Sequence, residues 1–209
     1  MNADPADPVL HVKGLGFAWG GRALFNALSF DIPPGVSLVR GGDGSGKSTL
    51  LSLLAGAQRA SSGTLAIHGI GLDQQHDAYR HQVFWIDPQT EAHDALAAGS
   101  YLDSLSHHYP RFNGEMLAEL VRGFDLGPHL SKPMYMLSTG SRRKVWLAAA
   151  FAAGTPLTLI DQPFAALDGP SRRLLRELLQ EAAEHPARAW LLADHEAPEG
   201  VPLKITIEL

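Results

Sequence analysis

Gly41-Gly42-Asp43-Gly44-Ser45-Gly46-Lys47-Ser48-Thr49 decides how the rest of the chain is read. The stretch fits G-x-x-x-x-G-K-[ST], a loop that grips phosphate. Ahead of it, Gly35-Val36-Ser37-Leu38-Val39-Arg40 is a short apolar run that reads as a buried strand. Behind it, Ser48 to Gly56 reads as a helix ended by glycine. Strand, glycine loop, helix is the order the chemistry needs. Glycines let the backbone curl until successive N–H groups converge on phosphate oxygens. The helix N-terminus adds partial positive charge to the same anion. Lys47 brings a full charge toward the β- and γ-phosphates, and the Ser48 hydroxyl is a ligand for Mg²⁺.

Composition narrows the class. The chain has 209 residues, 45% of them hydrophobic and 19% charged, enough apolar content for a sizeable core. Its formal net charge of −5 argues against a partner held by bulk positive charge, so no direct nucleic-acid contact is expected. Without cysteine there are no disulfides, thiolate metal sites or cysteine nucleophiles. The start, Met1 to Pro8, is acidic and proline-rich, unlike a signal peptide. The longest apolar stretch, Leu147 to Ala153, falls far short of the roughly 20 residues of a membrane span. A soluble, intracellular protein is expected.

Periodicity gives an α/β pattern. Strands are expected at Val9–Phe17 and Leu24–Ile32, joined by a Gly20-Gly21 turn, and an edge strand at Gly63–Gly69. His81–Asp87 reads as a strand closed by Pro88, and Leu157–Asp161, Ala189–Ala193 and Leu203–Glu208 as further strands. Between them the pattern turns helical. Leu96, Tyr101, Leu102 and Leu105 form one apolar face, and Met116, Leu117, Leu120 and Phe124 another. Helices follow at Ser141–Ala152 and Arg172–Glu184. One domain spanning 1–209 is expected, with a core over about 1–90 and 154–209 and a helical subdomain over about 91–153.

Leu157-Thr158-Leu159-Ile160-Asp161 ends an apolar strand in a carboxylate. Such an Asp either caps the next turn or, beside a phosphate loop, holds Mg²⁺. With these two motifs the sequence resembles the ATP-binding cassette (ABC) proteins over nearly its whole length. The resemblance implies a P-loop NTPase core, a mixed sheet with an antiparallel β subdomain, and an inserted α-helical signature subdomain. It implies ATP and Mg²⁺ as ligands. Trp19 matches the aromatic that stacks on adenine, and Gln89 the glutamine that senses Mg²⁺ and the γ-phosphate. Leu137-Ser138-Thr139-Gly140-Ser141 stands where the family has its LSGGQ signature. Ser138 and Gly140 match, while Thr139 and Ser141 depart. Asp168, in Ala166-Leu167-Asp168, matches the D-loop acid, and His195 the switch histidine. The basic run Arg142-Arg143-Lys144 resembles the start of the signature helix, with Lys144 expected on a solvated face.

One departure bears on chemistry. After the strand-ending Asp the family has a glutamate that polarises the attacking water, whereas this chain reads Asp161-Gln162-Pro163. An amide positions a water through its oxygen but takes no proton. Losing a general base costs on the order of 10²- to 10⁴-fold in rate. The resemblance therefore implies an ATPase subunit with slowed hydrolysis. It would pair head-to-tail with a second such subunit, homologous or identical, around ATP. It would drive a separate integral membrane subunit from the cytoplasmic face of the cell membrane. In size and in its Phe84-Trp85-Ile86 stretch the chain is similar to the ATPases of cytochrome c maturation haem exporters. A non-transport ABC ATPase, or a regulatory module switched by ATP, is the alternative.

Overall fold

The computed structural model describes residues 7–87 and 89–209. The acidic start through residue 6 and Pro88, expected to close a strand, lie outside the described residues.

β1 (Leu10–Trp19) and β2 (Arg22–Ile32) make an antiparallel hairpin. Gly20 and Gly21 take φ of 54° and 84°, the left-handed pair that a two-residue hairpin turn needs, so Trp19 faces Arg22. On the other side of β1 lies β4 (Ser62–Ile67), itself paired with the two-residue β5 (Ile70–Gly71). The expected edge strand is thus covered by β5 along Ala66 and Ile67.

The second sheet is parallel throughout. Its order is β6 (Val83–Phe84), β7 (Leu157–Asp161), β8 (Ala189–Asp194), β3 (Gly35–Arg40) and β9 (Thr206–Glu208). Strands buried on both faces read as unbroken apolar runs, which is why β3, β7 and β8 stood out in the sequence. Alternation along them divides the core in two. Val36, Leu38, Trp190 and Leu192 face a cluster shared with α3 (Ala98–His108), α4 (Gly114–Gly123), α5 (Thr139–Ala152) and α6 (Gly169–Ala183). Val39, Leu191 and Ala193 face the opposite cluster, built from α1 (Lys47–Leu54) and the antiparallel sheet. The helical stretch 91–153 therefore shares a continuous apolar core with the sheet and α6.

Three expectations are corrected. The strand expected over His81–Asp87 is only Val83–Phe84, paired with Leu157 and Thr158 at the sheet edge. β7 runs on to Asp161, but Trp85 and Ile86 do not pair with it, and β6 stops at Phe84. Leu96, expected on an apolar helix face, is 44% exposed. It precedes α3, in a segment whose backbone is tied to Pro133 and Met134. The last strand begins at Thr206, not Leu203, where parallel pairing to β3 begins.

Candidate active site

Three elements bring the site together. β3, β7 and β8 end level, with Arg40 beside Asp194 and Asp161 beside Ala193. The loop after β3 (the glycine loop), the end of β7 and the turn after β8 thus open on one edge of the sheet. Ligands of open α/β sheets bind outside the carboxyl ends of the strands. α1 starts in this loop at Gly46, whose φ of 102° excludes most side chains.

A cavity of about 660 Å³ lies there, lined by Trp19, Arg22, Ala23 and Leu24 on one wall. Asp43, Gly44, Ser45, Gly46, Lys47, Ser48 and Thr49 form its floor, and Asp161 and Gln162 its far side. Trp19, among these lining residues, is 69% exposed. Lys47 is buried, and its ammonium donates to the carbonyls of Gly41 (2.7 Å) and Gly42 (2.9 Å). Ser48 Oγ donates to Asp161 Oδ2 at 2.5 Å. Ser45 Oγ is buried without a hydrogen-bond partner, while a Cβ on Gly42 or Gly44 would meet open space. A cation, an unpaired hydroxyl, a hydroxyl–carboxylate pair and open glycines fit a Mg²⁺–nucleotide. Ser48 and Asp161 would hold the metal, whose charge would offset that of the phosphate oxygens.

Burial pushes the Asp161 carboxyl above the usual Asp range, against the Ser48 hydrogen bond and the charges of Arg143 and Lys47. A bound cation reverses that balance by favouring the carboxylate. Arg143, on α5, donates through Nη1 to the carbonyls of Asp161 (2.8 Å) and Gln162 (2.6 Å). It holds the chain where Gln162 takes a φ of 44°, a left-handed conformation rare for a residue with a Cβ.

His195 sits on the glycine loop, with Nε2 3.2 Å from Asp43 Oδ1. It lines a second cavity of about 540 Å³ that shares Gln162 with the first. Gln89 is exposed and lines neither cavity; its N–H donates to Asp87 Oδ1 (2.9 Å). Gly41 and Gly42 lie behind the cavity as acceptors for Lys47. Ser138 caps α5 by accepting from the Ser141 N–H, and Gly140 packs so closely that a Cβ would lie 2.5 Å from the Ala166 carbonyl. Asp168 caps α6 and accepts from Lys144 at 2.6 Å. Neither the signature residues nor Asp168 line the cavity of their own chain.

Lys144, expected in solvent, is corrected: its side chain is 15% exposed and holds Asp168. Its neighbours are likewise engaged, Arg142 with Asp94 (3.1 Å) and Arg143 with the end of β7. The sequence reading also passed over Arg22, Ala23 and Leu24, although the Gly20-Gly21 turn places Arg22 across from Trp19.

A glycine loop at the end of a parallel strand, a carboxylate-ended neighbour and a capped helix after Leu137–Ser141 define a P-loop nucleotide-binding protein of the ABC type. The chain belongs to the ABC transporter family, whose pattern matches residues 25–165, and within it to the ATP-binding subunits. It is 34% identical over 192 residues to the cytochrome c biogenesis ATP-binding export protein CcmA of Paramagnetospirillum magneticum, covering 90% of this chain and 87% of that one. To the nickel import ATP-binding protein NikO of Rhodobacter capsulatus it is 29% identical, over 90% of this chain and 80% of that one. Its structure is similar to a solved ATP-binding subunit of an ABC transporter, with a TM-score of 0.79 and 26% identity over 88% of this chain and 79% of that one. Among the described residues no helix is long and apolar enough to cross a membrane.

Proposed function

We propose that this subunit binds Mg²⁺–ATP in the cavity between Trp19 and Gln162, and that hydrolysis there is slow because position 162 is an amide. The observation that carries the reading is the joining of Lys47, the Ser48–Asp161 pair and Gln162 around one cavity. Trp19 would stack on the adenine ring. Lys47 and the loop N–H groups would hold the phosphates, with Gln89 completing the metal's surroundings after a shift of its exposed loop. Ser138, Gly140 and Asp168 stand apart from the cavity of their own chain. They fit a second subunit, identical or homologous, packed head-to-tail so that each signature helix faces the other chain's phosphate loop. A separate membrane subunit would take up the resulting motion from the cytoplasmic side. The relatives named for export and for import leave the cargo open.

Gln162 also gives weight to an ATP-switched module, in which dimerisation outlasts turnover. One experiment separates the readings. Mg²⁺–ATP affinity, ATP-dependent dimerisation and phosphate release are measured for the natural chain and for Gln162→Glu. The expected result is similar affinity and dimerisation, with turnover raised on the order of 10²-fold or more. Equal turnover in the two chains would reject the idea that position 162 limits the reaction. Failure of either chain to dimerise with ATP would reject an identical second subunit in the head-to-tail arrangement.

A further inference from the structure

At the other end of the parallel sheet, where β6 and β7 begin, lies a cavity of about 250 Å³. Its wall includes His81, Gln82, Tyr109, Arg111 and Thr155, and no carboxylate side chain lines it. Three stretches of chain meet there. His81 and Gln82 follow α2 (His76–Arg80), Tyr109 and Arg111 link α3 to α4, and Thr155 leads into β7. The Asn113 N–H donates to the Ala152 carbonyl (2.8 Å), and a Cβ on Gly154, whose φ is 69°, would overlap the Arg111 carbonyl. The glycine thus lets the Arg111 segment press against the start of β7. Arg188 stands behind the same wall. Its Nε donates to the Thr155 carbonyl (2.8 Å), and its Cζ lies 4.5 Å from the centre of the Trp190 ring. Its Nη2 is buried without a hydrogen-bond partner. Burial and the charge of Arg111 press the Arg188 pKa down to about 10, so the two guanidinium groups feel each other. Arg80 adds a third positive charge, close enough to act on the Tyr109 hydroxyl. Among the described residues none of Arg80, Arg111 and Arg188 has an ion-pair partner, in a chain whose net charge is −5. Like charges gathered without a counter-ion repel, and a buried N–H without an acceptor costs free energy. An anion at this spot relieves both.

We propose that this cavity binds a small oxyanion of the phosphate class, held by Arg111 with Gln82 and Tyr109, while Arg188 adds charge from behind. The inference does not rest on the nucleotide reading, because the nucleotide cavity opens at the opposite, carboxyl ends of the strands. A guanidinium suits an oxyanion, whose oxygens accept two parallel N–H bonds from its planar fork. The Gln82 amide and the Tyr109 hydroxyl are neutral donors, and burial keeps that hydroxyl protonated by raising its pKa. The volume is below the roughly 300–1,000 Å³ of ordinary ligand pockets, which fits one phosphate group and not a nucleotide. Bound there, the anion would tie the α3–α4 link to the first residues of β6 and β7. It would join the helical stretch to the sheet on the side away from the phosphate loop.

The probe is inorganic phosphate, titrated by calorimetry into the full-length chain carrying Lys47→Ala, which weakens the phosphate loop as a competing site. Saturable binding is expected, with a rise in Tm as phosphate is added. Arg111 is exposed, so adding Arg111→Gln should leave Tm without phosphate within about 2 °C. The same change is expected to weaken phosphate binding at least about tenfold and to remove the phosphate-dependent rise in Tm. Arg111→Lys, which keeps the charge but not the fork, is expected to recover part of the affinity. With the natural Lys47, Arg111→Gln should leave Mg²⁺–ATP affinity within about twofold, because the two sites lie at opposite ends of the sheet. Equal phosphate affinity with Arg111 and with Gln at that position, or no saturable binding at millimolar phosphate, would overturn the proposal. So would Arg111-dependent binding to phosphatidate vesicles with none to free phosphate. The nucleotide reading fails separately, if the natural chain does not bind Mg²⁺–ATP.

Discussion

Gly46→Ala is the substitution whose cost the structure sets most directly. Gly46 has a φ of 102°, and a Cβ built there would lie 2.9 Å from Leu24 Cδ2 and 3.0 Å from Phe25 Cζ. Two penalties follow. Holding a residue with a Cβ at such a φ costs about 1–3 kcal/mol. Forcing a methyl group against side chains of β2 costs about 1–3 kcal/mol more, less if Leu24, which is only half-buried, swings aside. The sum is about 2–6 kcal/mol. For a domain of this size each kcal/mol moves Tm by about 2–4 °C, so a fall on the order of 4–24 °C is expected. Gly42→Ala is the control, since its Cβ would meet nothing within 4 Å and its φ is not positive. It should leave Tm within about 1 °C, as surface substitutions do, yet weaken ATP binding by crowding the phosphate cradle. Thermal unfolding of both variants without nucleotide decides the matter. Equal Tm values for Gly46→Ala and the natural chain would refute the argument that Gly46 joins the phosphate loop to the antiparallel sheet.

Other outcomes follow from single contacts. Tyr79 is fully buried and donates to the Leu54 carbonyl at 2.7 Å, at the end of α1. Tyr79→Phe should cost about 1–3 kcal/mol in denaturant unfolding, because a buried carbonyl loses its partner. Lys144 and the Ser171 N–H hold the Asp168 carboxyl well below the usual Asp range. A depressed folded pKa stabilises above the unfolded value, about 3.9, and that stability fades as pH falls through it toward the folded one. Asp168→Ala should therefore cost about 0.5–2 kcal/mol at pH 7, mostly as a lost helix cap, and less at pH 3. Asp161→Asn should abolish Mg²⁺-dependent ATP binding without lowering Tm in the nucleotide-free protein, because it removes a desolvated charge whose carboxyl burial already disfavours. A lowered Tm would show that the Arg143 and Lys47 charges outweigh that desolvation.

The amino-acid sequence by itself settled what depends on neighbours along the chain. The strand–loop–helix around Lys47, the buried strands β3, β7 and β8, and the motif order from Trp19 to His195 rest on local periodicity and glycine chemistry. Those signals are short-range and survive without coordinates. Gln162 was visible in the same way, as one residue out of place in a recognisable run. What only the tertiary structure decided depends on residues far apart in sequence. β6 stops at Phe84 although its partner β7 runs on to Asp161, so the β-prone Trp85 and Ile86 did not fix its end. Lys144 looked solvated until Asp168 came within 2.6 Å of it, and Arg143 had no visible role until β7 ended beneath α5. The meeting of Asp43 with His195, 152 positions apart, exists because β3 and β8 are adjacent and end level. Pairing of parallel strands is non-local, so no window along the chain contains it, and the placement of the site's charges follows from that pairing.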